Sequence, residues 1–368
     1  MLAHTRRFAP LGVILMAVLA FGGLLPARVG TAETVVGIAA VGTGPAALVK
    51  DIKPGTEGSA PTGFAAIGNT LYFIATTPTT GAELWRSDGT AAGTQLVKDI
   101  YPGEQSAFVN PAFSNLINAN GTLFFFADDG VHGYELWRSD GTEAGTTLTA
   151  DLNPGASSFV NPNGLPPYMI PVGNTVYFVA NESLYRSDGT EAGTIKLTTI
   201  AVQSRVQPAA VNGIVYFASG STDLMNGTTD SELWRTDGTV ANTIRVRDIN
   251  PGGAGSNPNL LTNVNGTLYF SANDGISGVE LWRSDGTEGG TVRVRDINPG
   301  AASGNPGNLA DVNGTLFFSA NDGTAGYELW RSDGTESGTT LVRNIAAGAN
   351  GSLGQFYNSN GCLLYTSP

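Results

Sequence analysis

The chain is poor in the residues most enzymes use. Of 368 residues only one is Cys (Cys362) and two are His (His4 and His132). Without a Cys pair there is no intrachain disulfide, so the fold must hold by its core alone. No Cys–His pair and no Ser–His–Asp set can be placed. His132 lies in a turn, Asp129-Gly-Val-His-Gly133, where solvation is the simpler reading. The chain is therefore expected not to be an enzyme. Charge is also sparse, at 14%, and skewed, with 19 Lys and Arg against 31 Asp and Glu. Such a surface repels phosphate backbones and anionic lipid, so no nucleic acid is expected as a partner. With 50 Gly and 19 Pro, coiled coils and helical bundles are disfavoured, while a 41% hydrophobic fraction is too high for a disordered chain.

The N-terminal apolar run, Leu11 to Leu25, is short for a membrane span. It follows Arg6 and Arg7, and Gly30-Thr31-Ala32 then offers small residues. Residues 1–32 are expected to be a secretory signal peptide cleaved near Ala32/Glu33, giving a secreted or cell-surface protein with no transmembrane segment after removal. A retained anchor is the alternative. This segment holds three basic residues and no acid, so the remainder carries 16 against 31, a net charge of −15.

What the chain does have is a repeat. Glu-Leu-Trp-Arg-Ser-Asp-Gly-Thr begins at Glu83, Glu135, Glu280 and Glu328, and at Glu232 with Thr236 for Ser. Ser183-Leu-Tyr-Arg-Ser-Asp-Gly-Thr190 is a degenerate copy. The aromatic position is Trp85, Trp137, Tyr185, Trp234, Trp282 and Trp330, spaced by 52, 48, 49, 48 and 48 residues. One unit reads as four strands: Asn259–Val264 (a), Thr267–Ala272 (b), Val279–Asp285 (c) and Thr291–Ile297 (d). Asn265-Gly266 between a and b is the strongest short-range hairpin signal. Both faces of strands b and c carry large side chains, as a sheet stacked between two neighbours requires.

Four short strands in about 48 residues is the spacing of a propeller blade. The fold class expected is all-β: a β-propeller of four-stranded blades. The units are 53–100, 101–152, 153–200, 201–249, 250–297 and 298–345, within a repeat domain at 33–361. A seventh blade is expected from an N-terminal half at 34–52 and a C-terminal half at 346–361, closing the ring with both termini. Residues Cys362–Pro368 depart from the repeat and resemble the translated end of a transposon adapter used in sequencing libraries. They are expected to be non-native, with the gene continuing past Gly361.

The motif Glu-Leu-Trp-x-x-Asp-Gly-Thr, followed by Gly-Thr-x-Leu-Val-Lys-Asp-Ile, Pro-Gly and Asn-Gly-Thr-Leu-Tyr-Phe, resembles the ELWxxDGT repeat family of bacterial secreted proteins. The resemblance covers about 45 to 366 and implies export and a repeat architecture, but no reaction and no catalytic residues. The chain departs from it at Ser183, Tyr185, Thr199 and Asn344, which loosens the third and last units.

Periodic residues read as scaffold. Asp88, Asp140, Asp188, Asp237, Asp285 and Asp333 precede Gly in the c–d turn and can shape it. The Arg two positions earlier (Arg283 before Asp285, for example) shares a strand face with that Asp, so Arg–Asp pairing is expected. The Trp series is expected to be buried between blades rather than exposed to stack on sugars. No metal site and no cofactor are expected; Asp129, Asp274 and Asp322 are turn formers, with weak calcium binding left open.

Variation between units is more informative. From the aromatic to the end of strand d every unit counts 15 residues. From the strand-b aromatic to the Glu position the counts are 10, 10, 5, 15, 10 and 10, and the d–a connections also vary. Strands alternate in direction, so all length variation falls on the face carrying the b–c and d–a loops. The long segments are Tyr101–Leu116, Asn153–Val172 and Ser219–Ser231. They carry Tyr101, Phe108, Phe159, Tyr168, Met169 and Met225. Two readings stay open: these side chains form a surface for a protein or polysaccharide ligand, or they tuck into the disc. A non-catalytic binding scaffold is the expected function. The alternatives are an accessory propeller of a larger adhesin or extracellular enzyme, and a propeller glycan hydrolase or lyase with carboxylates at the central hole.

Overall fold

The computed structural model describes residues 47–364, without 109–114, 156–157, 160–166, 199, 204, 224–227, 253, 346–355 and 360. The expected signal peptide, residues 34–46, Met225 and 365–368 lie outside the described residues. From Leu48 onward the chain forms one compact unit.

Every described element is a strand. The first sheet is β1 (Thr62–Ile67), β2 (Thr70–Thr77), β3 (Gly81–Ser87) and β4 (Gln95–Lys98). The second is β5 (Ile117–Ala119), β6 (Thr122–Asp128), β7 (Tyr134–Ser139) and β8 (Thr147–Ala150). The third is β9 (Met169–Val172), β10 (Thr175–Ala180), β11 (Ser183–Ser187) and β12 (Ile195–Lys196). The fourth is β13 (Ala209–Val211), β14 (Ile214–Asp223), β15 (Thr228–Thr236) and β16 (Ile244–Arg247). The fifth is β17 (Asn259–Val264), β18 (Thr267–Asn273), β19 (Val279–Ser284) and β20 (Val292–Arg295). The sixth is β21 (Gly307–Val312), β22 (Thr315–Asn321), β23 (Tyr327–Ser332) and β24 (Thr340–Arg343). A hairpin, β25 (Tyr357–Ser359) with β26 (Cys362–Leu364), comes last. Each four-stranded sheet is an antiparallel meander in chain order.

Strand a of each sheet lies beside strand a of the next, from β1 to β5 and onward to β25. The sheets therefore radiate from a shared inner row, which makes the fold a β-propeller of four-stranded blades. The a–b turns stay narrow because Asn120-Gly121, Asn212-Gly213, Asn265-Gly266 and Asn313-Gly314 all hold positive φ at both positions, as a type I′ hairpin requires. Asparagines also tie blade to blade there: Asn118 donates to the Ala66 carbonyl (2.9 Å) and Asn263 to that of Ala210 (3.0 Å).

The core lies between blades, not within one. Trp137 and Leu123 pack against Tyr72, Leu84 and Val97 of the first blade, and Trp330 and Leu316 against Tyr269, Leu281 and Val294 of the fifth. Phe125, Phe178, Phe217, Phe270 and Phe318, one per blade at the same position, are wholly buried.

The ends of the described chain carry blade contacts too. Lys50 donates to the Thr94 carbonyl (2.7 Å) as Lys98 does to Thr146 (2.8 Å) and Arg295 to Thr339 (2.6 Å), so Lys50 stands where strand d of a preceding blade would. Asn358 of β25 donates to the Asp311 carbonyl (2.8 Å), repeating the Asn118 link. The hairpin thus holds the a–b place of a seventh blade, and it includes Cys362. Leu48–Ile52, the end of the N-terminal half expected at 34–52, makes no ladder. In the third blade the d strand, expected to run to Ile200 at 15 residues past Tyr185, is only Ile195–Lys196. There the Thr198 hydroxyl takes the Leu184 N–H (3.0 Å).

Candidate functional site

The c–d turn explains the Ser-Asp-Gly-Thr string. In the first blade Asp88 Oδ1 accepts from the Thr90 N–H (2.9 Å) and hydroxyl (2.7 Å), Thr90 Oγ1 accepts from Gly93 N–H (2.9 Å), and Ser87 Oγ bonds Thr94 Oγ1 (2.7 Å). Asp285 repeats this with Thr287 at 2.9 and 2.7 Å. The Thr287 bonds hold the Asp285 carboxyl below its ordinary range.

The expected Arg–Asp pairing is not found among the described ion pairs. The neighbouring blade intervenes. Arg86 Nη1 donates to the Gly141 carbonyl of the next blade's turn (3.1 Å), and the Tyr72 ring lies against the same glycine. Tyr177 meets Gly238, Tyr216 meets Gly286 and Tyr269 meets Gly334 in the same way, with Arg283 also near Gly334. These glycines hold φ near +90° and have no room for a methyl group.

The motif Glu has a role the sequence reading missed. Glu83 is fully buried and accepts from Ile100 N–H (2.9 Å), Tyr101 N–H (3.3 Å) and Ala107 N–H (3.1 Å). It staples the end of strand d and the loop after it. Burial pushes the Glu83 carboxyl up to about 8, and Glu135 and Glu280 to about 7. The backbone N–H bonds oppose that shift and are outweighed.

Of the two readings left open for the loop residues, burial supports the tucked one for Phe108, Phe159 and Met169. The loop from Tyr101 folds back onto Glu83, and Phe108 drops fully buried beside Phe125, with ring centroids 5.7 Å apart. Phe159 is buried edge-on to Tyr185 at 5.2 Å, and Met169 is buried in the same cluster. Tyr101 is half-buried against the first core. Of the aromatics named, Tyr168 alone lines a described cavity, one of about 290 Å³ shared with Arg205 and Leu260. His132 closes its turn, with Nδ1 2.7 Å from Asp129 Oδ2. That bond raises the imidazole pKa and leaves a structural role.

Trp85, Trp137, Trp282 and Trp330 are buried, as is Tyr185. Trp234 is only partly buried, and the fourth blade differs around it. β14 and β15 extend as a hairpin up to Asp223 and Thr228. The short connection after Ile200 runs along β14: Gly220 N–H bonds the Ala201 carbonyl (3.0 Å) and Gln203 N–H that of Ala218 (2.9 Å). Between these parts lies a cavity of about 330 Å³ lined by Ile200, Gly220, Asp230, Trp234 and Arg245. Oxygens of Asp230, Glu232 and Asp248 come within 4.8 Å of one another beside it. Glu232 is spent on its own blade, accepting from Ile249, Asn250 and Ser256 N–H and the Ser256 hydroxyl. Arg245 pairs with Asp248 (3.2 Å). Asp230 Oδ1 and Asp248 Oδ1 are buried with no hydrogen-bond donor. The other units have Gly or, once, Asn181 two positions before the motif, so Asp230 was visible in the sequence but not its neighbours in space.

A groove of about 440 Å³ lies on the outer side of the first blade, lined by Leu48, Phe64, Leu71 and Phe73 among others. Leu71 is 40% exposed where its equivalents Leu123, Val176, Val215, Leu268 and Leu316 are 0%. Gly89 likewise has nothing within 4 Å, so this is the face a preceding blade would cover.

No family model and no curated protein matches the chain. Among solved structures it is similar to a puromycin hydrolase, at 14% identity and TM-score 0.39, over 83% of this chain and 50% of that one. It also resembles the β-propeller domain of the Trilobed protease from Pyrococcus furiosus, at 9% identity and TM-score 0.39, over 84% and 91%. TolB from Acinetobacter baumannii is a third, at 13% identity and TM-score 0.30, over 72% and 62%. The chain spans half the length of the hydrolase. These likenesses are weak, and the propeller assignment rests on the strand geometry.

Proposed function

We propose that this protein is an exported, non-catalytic propeller that binds a protein or polysaccharide ligand through its b–c and d–a loop face. One observation carries the reading. The c–d turns are uniform and locked by neighbouring blades, while the opposite face changes in length and composition from blade to blade. A rigid scaffold presenting variable segments on one side is how repeat proteins bind. The fourth blade departs most, with an extended hairpin, an added carboxylate and an open cavity. The buried loop aromatics shift the binding surface away from Phe108 and Phe159 and toward this blade.

The test replaces 219–231 with the shorter fifth-blade connection, 271–279. Binding is then measured on a panel of immobilised glycans and peptides, with melting temperature as a folding control. Ligand capture is expected to fall while the melting temperature holds. Unchanged capture at unchanged stability would remove this face from the function.

A further inference from the structure

The cavity at the foot of the β14–β15 hairpin has a chemistry that its sister blades make readable. In the second blade the Trp137 ring is covered by Lys98 of the preceding blade, with Nζ 5.8 Å from the ring centroid. In the sixth, Arg295 covers Trp330 at 5.8 Å. Counting back from the end of strand d, the residue that should cover Trp234 is Thr198. It is buried, and its hydroxyl is turned onto its own sheet. Arg245, in the place from which Lys196 covers Tyr185, is turned to Asp248 instead. The fourth blade thus keeps the indole and lacks the cation from the preceding blade. In its place is open space bordered by Asp230, with Glu232 and Asp248 behind it and a single Arg245 already paired to Asp248. Asp248 Oδ1 lacks a donor as its equivalents Asp99, Asp151 and Asp296 do, but the unpartnered Asp230 Oδ1 is peculiar to this blade, and leaving it so is costly unless something supplies a donor. Both the π face and the carboxylates favour positive charge with N–H donors.

We propose that this cavity binds a guanidinium or alkylammonium side chain of a basic polypeptide, seated over Trp234 and bonded to Asp230. The proposal rests on the binding-scaffold reading and narrows it to one site and one ligand chemistry. The ligand's cation takes the role that Lys98 and Arg295 play over the second and sixth blades. The cavity's size suits one long side chain, and the acidic chain favours the encounter electrostatically.

The experiment tracks the indole N–H signal of Trp234 in the full protein labelled with ¹⁵N-Trp, assigned through Trp234→Phe. Acetyl-Gly-Arg-Gly-amide and its Lys counterpart are titrated in. A saturable shift of that signal is expected, weaker in higher salt and at least about tenfold weaker for the neutral citrulline isostere. Asp230→Asn is expected to weaken binding about tenfold. Thr198→Lys, which restores the preceding-blade cation at the cost of the Leu184 N–H bond, is expected to close the site in a protein that still folds. Equal binding of the citrulline peptide would overturn the proposal. So would no shift with either peptide, a shift with spermidine but not the peptides, or a shift produced by calcium chloride or a neutral glucan oligosaccharide in their place. A silent cavity in a protein whose ligand capture still depends on 219–231 would refute this site alone and leave the wider binding reading standing.

Discussion

The buried motif glutamates should make this protein most stable in mildly acidic solution. Burial lifts Glu83 from an ordinary 4.5 to about 8, and Glu135 and Glu280 to about 7. A carboxyl whose folded pKa is raised binds its proton more tightly in the native state. Its contribution is complete below about 4.5 and is lost as pH rises to about 7 or 8. The turn aspartates work the other way. Bonds from Thr287 lower Asp285, and Thr142 does the same for Asp140. Their contribution is complete above about 4 and is lost as pH falls below it. The two sets leave a maximum between about pH 4 and 5. Each pH unit of separation weighs about 1.4 kcal/mol, so Glu83 alone sets a ceiling of about 5 kcal/mol between pH 4.5 and 8. Urea unfolding monitored by Trp fluorescence from pH 3.5 to 9 measures this, with Glu83→Gln as the key variant. The amide cannot ionise but cannot serve all three N–H donors either. It is expected to be less stable than the parent at pH 5 and to reach or overtake it by pH 9. Parent stability that is flat or rising from pH 5 to 9 would refute the reasoning. It would mean that the bonds from Ile100, Tyr101 and Ala107 outweigh burial and keep the carboxylate ionised.

The interblade contacts set three further expectations. Gly141→Ala should cost about 1–3 kcal/mol more than Gly89→Ala, because both strain a positive φ but only Gly141 meets the Tyr72 ring; equal costs in chemical denaturation would dismiss the interblade lock. Phe108→Ala should cost about 3–5 kcal/mol and leave ligand capture intact in folded protein, because the ring fills the space between the first two blades; a stable variant with lost capture would return Phe108 to the surface. Acrylamide should quench Trp234 ahead of the other four tryptophans, so Trp234→Phe should remove the most quenchable emission; an unchanged quenching curve would place Trp234 in the core with the rest.

The blades were legible because each carries its own grammar. Asn265-Gly266 states the hairpin, and Asp285 closes its turn with residues two to five positions away. Such features depend on neighbours in sequence, so they are read directly. The sequence misled where the partner lies in the next blade. Arg86 and Asp88 share a strand face, yet Arg86 reaches Gly141, 55 residues on. Phe108 sits in a polar loop, and its burial depends on Glu83 pulling that loop inward from 24 residues away. The carboxylates beside Trp234 were legible singly and not as a group, because strand pairing and the Glu232 staple bring 230, 232 and 248 together.

The same contacts explain why one face of the disc is constant and the other is free. A c–d turn is closed by its own Asp and Thr, and in every blade after the first its Gly is covered by an aromatic ring and an Arg from the blade before. An inserted residue there would break two blades at once. The short b–c loops are held by the d–a loop beside them, as Gly130 is by the Tyr101 ring and Gly275 by Asn250, whereas in the fourth blade β14 and β15 grow past Gly220 while Trp234, Glu232 and the ladder below keep their register. In the first d–a loop Glu83 holds the stretch from Ile100 to Ala107. Cooperative locking on one side thus permits divergence on the other. Within that pattern, replacing a covering Lys by Thr198 while adding Asp230 leaves the propeller intact and opens a charged cavity on the permissive side. On the proposed reading, a cationic ligand complements both changes at once.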